Sequence, residues 1–274
     1  MTIIISQNMV VTTAQSGTSG KPWLAWRNYV TRGNVTAQFE DVLHPASNLG
    51  NTNTALSWRS TSTAEQTVDV GLGGSAPIDY IAIARHNLGS SFCEISVEAL
   101  ISGDEADGYI ELIAGQFLGS DEPVIIRFDE IYPTRIRVHL KPQNAPPQVA
   151  ILYVGKLTVM QRGMAQEVVP LHFAYETEVA TGRAESGDFL GRIITDQSKN
   201  VTYSFEMVDY SWFKREFGDF AKTSLTQPFF FSWLPKLYPD EVGFGWLNTD
   251  INPNASHFTG GVQVNFTLDI STIA

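Results

Sequence analysis

The feature that most restricts the fold is a series of short strands with a period of two, running from Asn34 to about Val159. Segments such as TRIRVHL and VIIRF alternate apolar and polar residues, as half-buried antiparallel strands do. Clusters of turn-forming residues separate the strands, among them SGDEADG, GSDEP and PQNAPPQ. Many short strands with such turns, and no long helical pattern, predict a β-sandwich or jelly roll.

A polar break at residues 161–166 predicts the start of a second, β-rich domain. One short helix is expected there, over Asp209–Lys222, with Asp209 as a suitable N-cap. Four aromatic residues recur at helical spacing and are expected to face the core of this domain: Tyr210, Phe213, Phe217 and Phe220. The predicted organisation is mainly β, with an N-terminal arm over 1–33, a jelly roll over 34–160 and a β-rich domain over 161–274.

The charge of the chain excludes several classes of partner. It carries 29 acidic and 18 basic side chains, which gives a net charge of −11, and the acidity is spread evenly. Because no basic patch is available to neutralise phosphates, nucleic-acid binding and attachment to an anionic membrane are disfavoured. No run approaches the roughly 18 apolar residues of a membrane span, and the N-terminus has no basic start of a signal peptide. We therefore expect synthesis in a cytoplasm and no membrane insertion.

No catalytic or metal-binding motif stands out in the sequence. The five histidines lack the spacing of a metal-binding helix, and no P-loop, dinucleotide fingerprint or nucleophile elbow occurs. Adjacent carboxylates such as Asp121 and Glu122 lie in turns, where solvated charge is the ordinary explanation. The acidic cluster at 104–107 is too short for a calcium loop, and the single cysteine, Cys93, is expected to be a small buried residue. The sequence therefore predicts no enzyme, no cofactor and no metal site.

An excess of aromatic residues marks the stretch from Tyr210 to Trp246, which holds 12 of the chain's 31 aromatic side chains. The helix accounts for those before Lys222. The rest lie in a proline-interrupted segment that is too apolar to be left in water, so we expect it to pack partly on its own domain and partly on a neighbouring subunit. The predicted interface residues are Phe229, Phe230, Phe231, Trp233, Tyr238, Phe244 and Trp246.

The triplet Arg85–His86–Asn87 is a candidate binding site at the end of an apolar strand. Arg and Asn can both donate to vicinal hydroxyl groups of a sugar, and Trp58 beside Arg59 would offer a ring on which a sugar stacks. The alternative is that the triplet hydrogen-bonds to backbone carbonyls and closes one end of the sandwich. The candidate glycan-binding residues are therefore Trp58, Arg59, Arg85, His86 and Asn87.

These residues also carry a resemblance to a known family. The segments ALSWRSTS, QTVDVGLG and IDYIAIARHNLGSS resemble the discoidin-like, galactose-binding jelly roll found in tail-tip proteins of tailed bacteriophages. The matching positions are Trp58, Arg59, Ser60, Asp69, Gly71, His86 and Asn87. The second half, through QPFFFSW and YPDEVGFGW, is similar to the C-terminal part of phage distal-tail and minor-tail proteins.

The resemblance implies a virion protein that forms a ring at the tail tip, with six subunits favoured over three. Its partners would be further copies of itself, the tail tube, and hub and fibre proteins. Distal tail proteins usually place the ring-forming domain first, whereas the jelly roll comes first in this chain, so the resemblance leaves open which half forms the ring.

Two hypotheses follow from different classes of protein. The first is a structural tail-tip component, and the second is a carbohydrate-binding adhesion protein that contacts the host envelope. An exposed groove formed by the five candidate residues would favour adhesion, whereas burial and saturation with backbone hydrogen bonds would favour the structural role.

Overall fold

The computed structural model describes residues 2–6, 9–12, 20–101, 108–165, 167–258 and 261–273. The protein is mainly β, as predicted, and it divides into two compact units. Unit 1 comprises Met1–Gly163 and Phe229–Val242, and unit 2 comprises Met164–Pro228 and Gly243–Ala274. The acidic cluster at 104–107 lies outside the described residues.

The strands of unit 1 come first in the chain. Up to Gly163 they are β1 (Thr2–Ser6), β2 (Met9–Thr12), β3 (Trp23–Ala25), β4 (Val35–Ala37), β5 (Trp58–Arg59), β6 (Gln66–Gly71), β7 (Ile78–His86), β8 (Glu94–Leu100), β9 (Ile110–Phe117), β10 (Val124–Ile131), β11 (Arg135–Lys141), β12 (Gln148–Gly155) and β13 (Thr158–Val159). Next come β14 (Tyr175–Arg183), β15 (Phe189–Asp209), α1 (Tyr210–Trp212) and α2 (Gly218–Thr223). The last strands are β16 (Phe229–Ser232), β17 (Val242–Leu247), β18 (Asn254–Phe258) and β19 (Gly261–Thr272).

Unit 1 is built on two sheets that pack face to face, the sandwich of a jelly roll. One has the order β1-β2-β10-β7-β12-β5 and the other the order β4-β6-β11-β8-β9. Alternate residues of β6 and β11, among them Val68 and Val138, pack against Ile81 and Leu152 of the first sheet. Cys93 is buried in the same core, as predicted, and burial raises the pKa of its thiol to about 12.

Strands β7 and β12 are buried on both faces. One face lies in the core of the sandwich, and part of the aromatic segment covers the other. The Tyr153 ring of β12 meets the Phe230 ring of β16 edge to face at 5.3 Å. Strand β16 in turn pairs with β3, with Phe231 opposite Leu24. The sequence prediction assigns Phe229–Ser232 to the second domain, whereas the strand belongs to unit 1, where its apolar side chains cover the sheet.

Unit 2 is an antiparallel sheet with a short helical segment on one face. The strand order is β17-β19-β15-β14, and β18 also pairs with β19. The predicted helix is confirmed, and the Asp209 carboxylate accepts a hydrogen bond from the Trp212 backbone N–H at 2.9 Å. A π-helical turn over Phe213–Phe217 joins α1 to α2.

The helical segment buries Phe213, Phe217 and Phe220 against the sheet, where Phe217 and Phe266 lie 5.0 Å apart between ring centroids. Tyr210, which the spacing places in this core, is 43% exposed. Tyr210 is the first residue of α1, directly after the N-cap Asp209, and lies at the end of the buried stripe.

Candidate functional site

His86 and Asn87 follow one another at the end of strand β7, and both side chains form hydrogen bonds with backbone groups of unit 1. The buried His86 ring accepts a hydrogen bond from the Leu88 N–H at its Nδ1, so its Nε2–H donates to the Glu122 carbonyl at 2.9 Å. Burial lowers the pKa of His86 to about 4, which keeps the ring neutral. Asn87 donates to the Pro146 carbonyl and accepts from the Gln148 N–H at 2.7 Å. Two of the five candidate residues therefore hold the end of the sandwich together.

Trp58 offers no surface for a sugar ring. It is completely buried in the core of unit 1, and its Nε1–H donates to the Phe39 carbonyl at 3.0 Å. The expectation of a stacking platform is therefore wrong, because the indole fills the space between the two sheets. Arg59 is exposed, and its guanidinium donates twice to the Gln148 Oε1, at 3.0 and 3.2 Å.

Arg85 is the candidate residue that remains available to a ligand. It is exposed, it has no hydrogen-bond or ion-pair partner among the described residues, and its φ of 52° is rare for a residue with a side chain. Such a backbone costs about 1–2 kcal/mol, and it is held in place by the bonds of His86 and Asn87 just beyond it.

A polar concavity of about 380 Å³ surrounds Arg85. Its other hydrogen-bonding side chains include Thr54, Ser57, His86, Asn87, Asp121 and Gln148. Asp121 accepts from the Ser90 N–H, and Gln148 donates to the Ser57 hydroxyl. Donor and acceptor groups thus meet in one depression, but no Trp, Tyr or Phe side chain is among its lining residues. The arrangement can bind a small polar ligand through Arg85 and Asp121.

The predicted interface residues divide into core and surface. Phe229, Phe230, Phe231 and Phe244 are at most 1% exposed within the chain itself. Their assignment to a subunit interface is therefore wrong, because these rings fill the interiors of their own units. Trp233 stacks on Tyr238 at 5.0 Å and donates to the buried Glu241 carboxylate. Tyr238 and Trp246, at 45% and 41% exposed, stay predictions as contact residues.

A surface that the sequence reasoning missed lies in unit 2. Strands β14 and β15 form a hairpin that extends beyond the sheet, since β19 pairs with β15 only from Lys199 onward. We call residues 175–198 the hairpin arm. Every residue of β14 is exposed, and the arm carries four large apolar side chains that are each more than 60% exposed: Phe189, Leu190, Ile193 and Ile194. The signal in the sequence is FLGRII, an apolar run that by itself indicates only a strand.

Two familiar features are absent from the described residues. They contain no group of three or more His, Cys, Asp or Glu side chains placed to hold a metal ion. Within the same part of the chain, no helix has the length and apolar character needed to cross a membrane.

No family model matches the chain, and no curated protein matches it. Among solved structures, about half of the chain is similar to a carbohydrate-binding module from Clostridium perfringens in complex with GalNAc-β-1,3-galactose, at 16% identity, with 46% of this chain and 98% of that chain covered and a TM-score of 0.40. The family 32 module of NanJ from C. perfringens, in complex with galactose, gives 18% identity, 50% and 99% coverage and a TM-score of 0.40.

A chitosan-binding module from a Paenibacillus chitosanase/glucanase gives 15% identity, 47% and 98% coverage and a TM-score of 0.42. All three are carbohydrate-binding modules. At these TM-scores the likeness carries no argument about what this chain binds.

Proposed function

We propose that the protein is a structural component that assembles with further copies of itself, as tail-tip proteins of bacteriophages do. The observation that carries the proposal is the hairpin arm. A two-stranded hairpin is at best marginally stable alone in water, and an exposed apolar patch of this kind marks an interaction site. In this proposal unit 2 forms the ring, and the site of action is the virion tail tip after synthesis in the host cytoplasm.

The exposure of the arm supports this assignment of unit 2. The exposed large apolar side chains of unit 2 include Phe189, Leu190, Ile193 and Ile194, which lie close together in the arm and are each more than 60% exposed. The acidic net charge of −11 would limit non-specific association before assembly. No catalytic activity is part of the proposal.

Light scattering during size exclusion, followed by negative-stain imaging, tests the proposal. We expect the purified chain to form rings of uniform mass. Ile193→Asp combined with Ile194→Asp should give a folded monomer, since both side chains are exposed and their replacement leaves the core intact. Leu237→Asp, at a position 64% exposed outside the arm, is the matched control. A wild-type chain that remains monomeric at all concentrations would refute self-assembly.

A second candidate function is carbohydrate binding in unit 1, and the concavity around Arg85 is the observation that favours it. The Arg85 guanidinium offers five N–H donors, and the Asp121 carboxylate offers acceptors, a combination that suits vicinal hydroxyl groups. Glycan-array binding would test it, with Arg85→Ala as the variant and Arg32→Ala, at another exposed arginine, as the control. Binding that is lost only in Arg85→Ala supports this function, and the absence of any bound glycan removes it.

A further inference from the structure

The two faces of the hairpin arm carry opposite charge, and this follows from its register. In an antiparallel pair, directly opposed residues share a face and successive residues alternate between faces. Val179 pairs with Ile194, and Ala180 pairs with Ile193, so these two pairs lie on opposite faces. We call the first the front face and the second the back face.

The front face is basic. Thr181 pairs with Arg192 and shares the face of Val179, and the Arg192 Nε donates to the Thr181 hydroxyl at 3.1 Å, which confirms that the two side chains meet. The same alternation places Arg183 on this face, and Lys199 lies over the ring of Tyr175 at its end. The apolar members of the face are Tyr175, Val179, Phe189 and Ile194. Within the arm, no acidic residue of either strand falls on the front face.

The back face is acidic. Glu178 pairs with Asp196, and Glu176 pairs with Ser198, both on the face of Ala180. Leu190 lies on this face too, because a Cβ on Gly182 would approach the Leu190 Cβ to 3.3 Å. Like charges directly opposite one another destabilise a hairpin, and no cation among the described residues pairs with Glu178 or Asp196. The turn adds Glu185 and Asp188, which lie outside the paired residues and are assigned to neither face.

The area of each face limits how much of an interface the arm can supply. Nine residues of β14 span about 30 Å, and two strands make a ribbon about 10 Å wide, so one face offers about 300 Å². A stable interface buries about 800 Å² of each partner. A front-to-back contact buries one face of each partner and falls well short of this, so the arm is one part of a larger interface between copies.

We propose that the arm stacks front to back on the arm of a second copy, with the basic front face of one chain against the acidic back face of the next. This rests on the self-assembly proposed above and names its contact. Each face carries apolar residues flanked by charges that the other face complements. Because the contact joins two different surfaces, it repeats from copy to copy and yields a ring or a filament, not an isolated dimer.

Charge reversal tests the stacking. The front variant combines Arg183→Glu with Arg192→Glu, and the back variant combines Glu178→Lys with Asp196→Lys. Each alone should weaken association by at least tenfold in light scattering, because like-charged faces would then meet. An equimolar mixture of the two variants should reassemble, and so should one chain that carries all four substitutions. Lys222→Glu with Lys236→Glu changes the net charge as the front variant does, lies outside the arm, and should assemble normally.

The outcomes separate the inference from the function on which it rests. If the mixture and the fourfold variant both stay dissociated, front-to-back stacking is wrong, while wild-type rings would leave self-assembly standing. If the front and back variants assemble as the wild type does, the arm is not the contact. A monomeric wild-type chain would overturn both proposals. Circular dichroism of each variant verifies that the units are folded.

Discussion

Acidification of unit 1 tests the chemistry of the candidate site, because His86 is held neutral by burial. Its pKa is about 4 in the folded protein against 6.5 for a free histidine. The unfolded chain therefore takes up a proton first as the pH falls. The stabilisation from neutral His86 is fully present above pH 6.5 and is lost as the pH falls toward 4. From the size of the shift, the loss between pH 7 and pH 4 is about 3 kcal/mol.

A second buried group in unit 1, the Asp79 carboxyl, changes the stability of the folded state with pH in the opposite direction. Burial raises the pKa of Asp79 to about 6, although its carboxylate accepts from the Leu157 N–H at 2.6 Å and lies 3.7 Å from Arg127. For this group the folded state holds the proton more tightly, so stability rises as the pH falls from 6 toward 3.8. The gain between pH 7 and pH 4 is about 2 kcal/mol. In the wild type the two effects largely cancel, and single variants are needed to see either.

Urea denaturation at several pH values, followed by tryptophan fluorescence, measures both effects. His86→Asn should lose stability at pH 7 and recover about 3 kcal/mol relative to the wild type at pH 4. Asp79→Asn should show the opposite trend, and groups common to the proteins cancel in each comparison. If the free energies of His86→Asn and wild type stay parallel from pH 7 to pH 4, burial does not keep His86 neutral and the geometry described for the site is wrong.

Three further substitutions and one reactivity measurement probe other parts of the structure. Phe230→Ala should lower the free energy of unfolding by about 3–5 kcal/mol in urea, since the ring is fully buried. Gly155→Ala should lower the melting temperature sharply, because its Cβ would lie 1.9 Å from the Arg27 carbonyl oxygen. Arg85→Gly should raise the free energy of unfolding by about 1 kcal/mol by relieving the positive φ. Cys93 should resist thiol reagents at pH 8 until denaturant is added, because its pKa is about 12.

The sequence predicted the sandwich of unit 1 well because several of its strands alternate strictly, although VIIRF of β10, expected to be half-buried, is buried on both faces. Half-buried strands such as β6 and β11 show their burial directly in the order of residues, and the helix after Asp209 has a capping residue and a regular aromatic spacing. The aromatic segment is different. Phe229, Phe230 and Phe231 are apolar in succession, which shows that both faces of a strand are covered but not by what. Only the pairing of β16 with β3, about 200 residues earlier, supplies that answer.

The candidate site was predicted in part for a related reason. The position of Arg85, His86 and Asn87 at a strand end was visible in the sequence, and so was the choice between ligand contacts and backbone hydrogen bonds. The structure divides the triplet: two residues bond to the backbone, and Arg85 alone faces the concavity. Trp58 was assigned wrongly because a tryptophan beside a polar strand end looks the same in sequence whether it covers a core or a ligand.

The assignment of charged side chains to the two faces of the hairpin arm could not be predicted from the sequence. The alternation of Glu176, Glu178 and Ala180 on β14 is visible, yet the opposing face of β15 depends on two bulges, near Thr195 and Leu190. Each bulge shifts the pairing by one residue, and a shift of one residue would exchange the faces on which the charges lie. The segregation of Arg192 from Asp196 is therefore a consequence of the register, which makes the insertion of one residue opposite Thr195 informative. Inserting one alanine between Glu178 and Val179 would give Thr195 a partner and place Thr181 and Arg192 on the face of Glu178 and Asp196, and it should abolish assembly even though every charged side chain is retained.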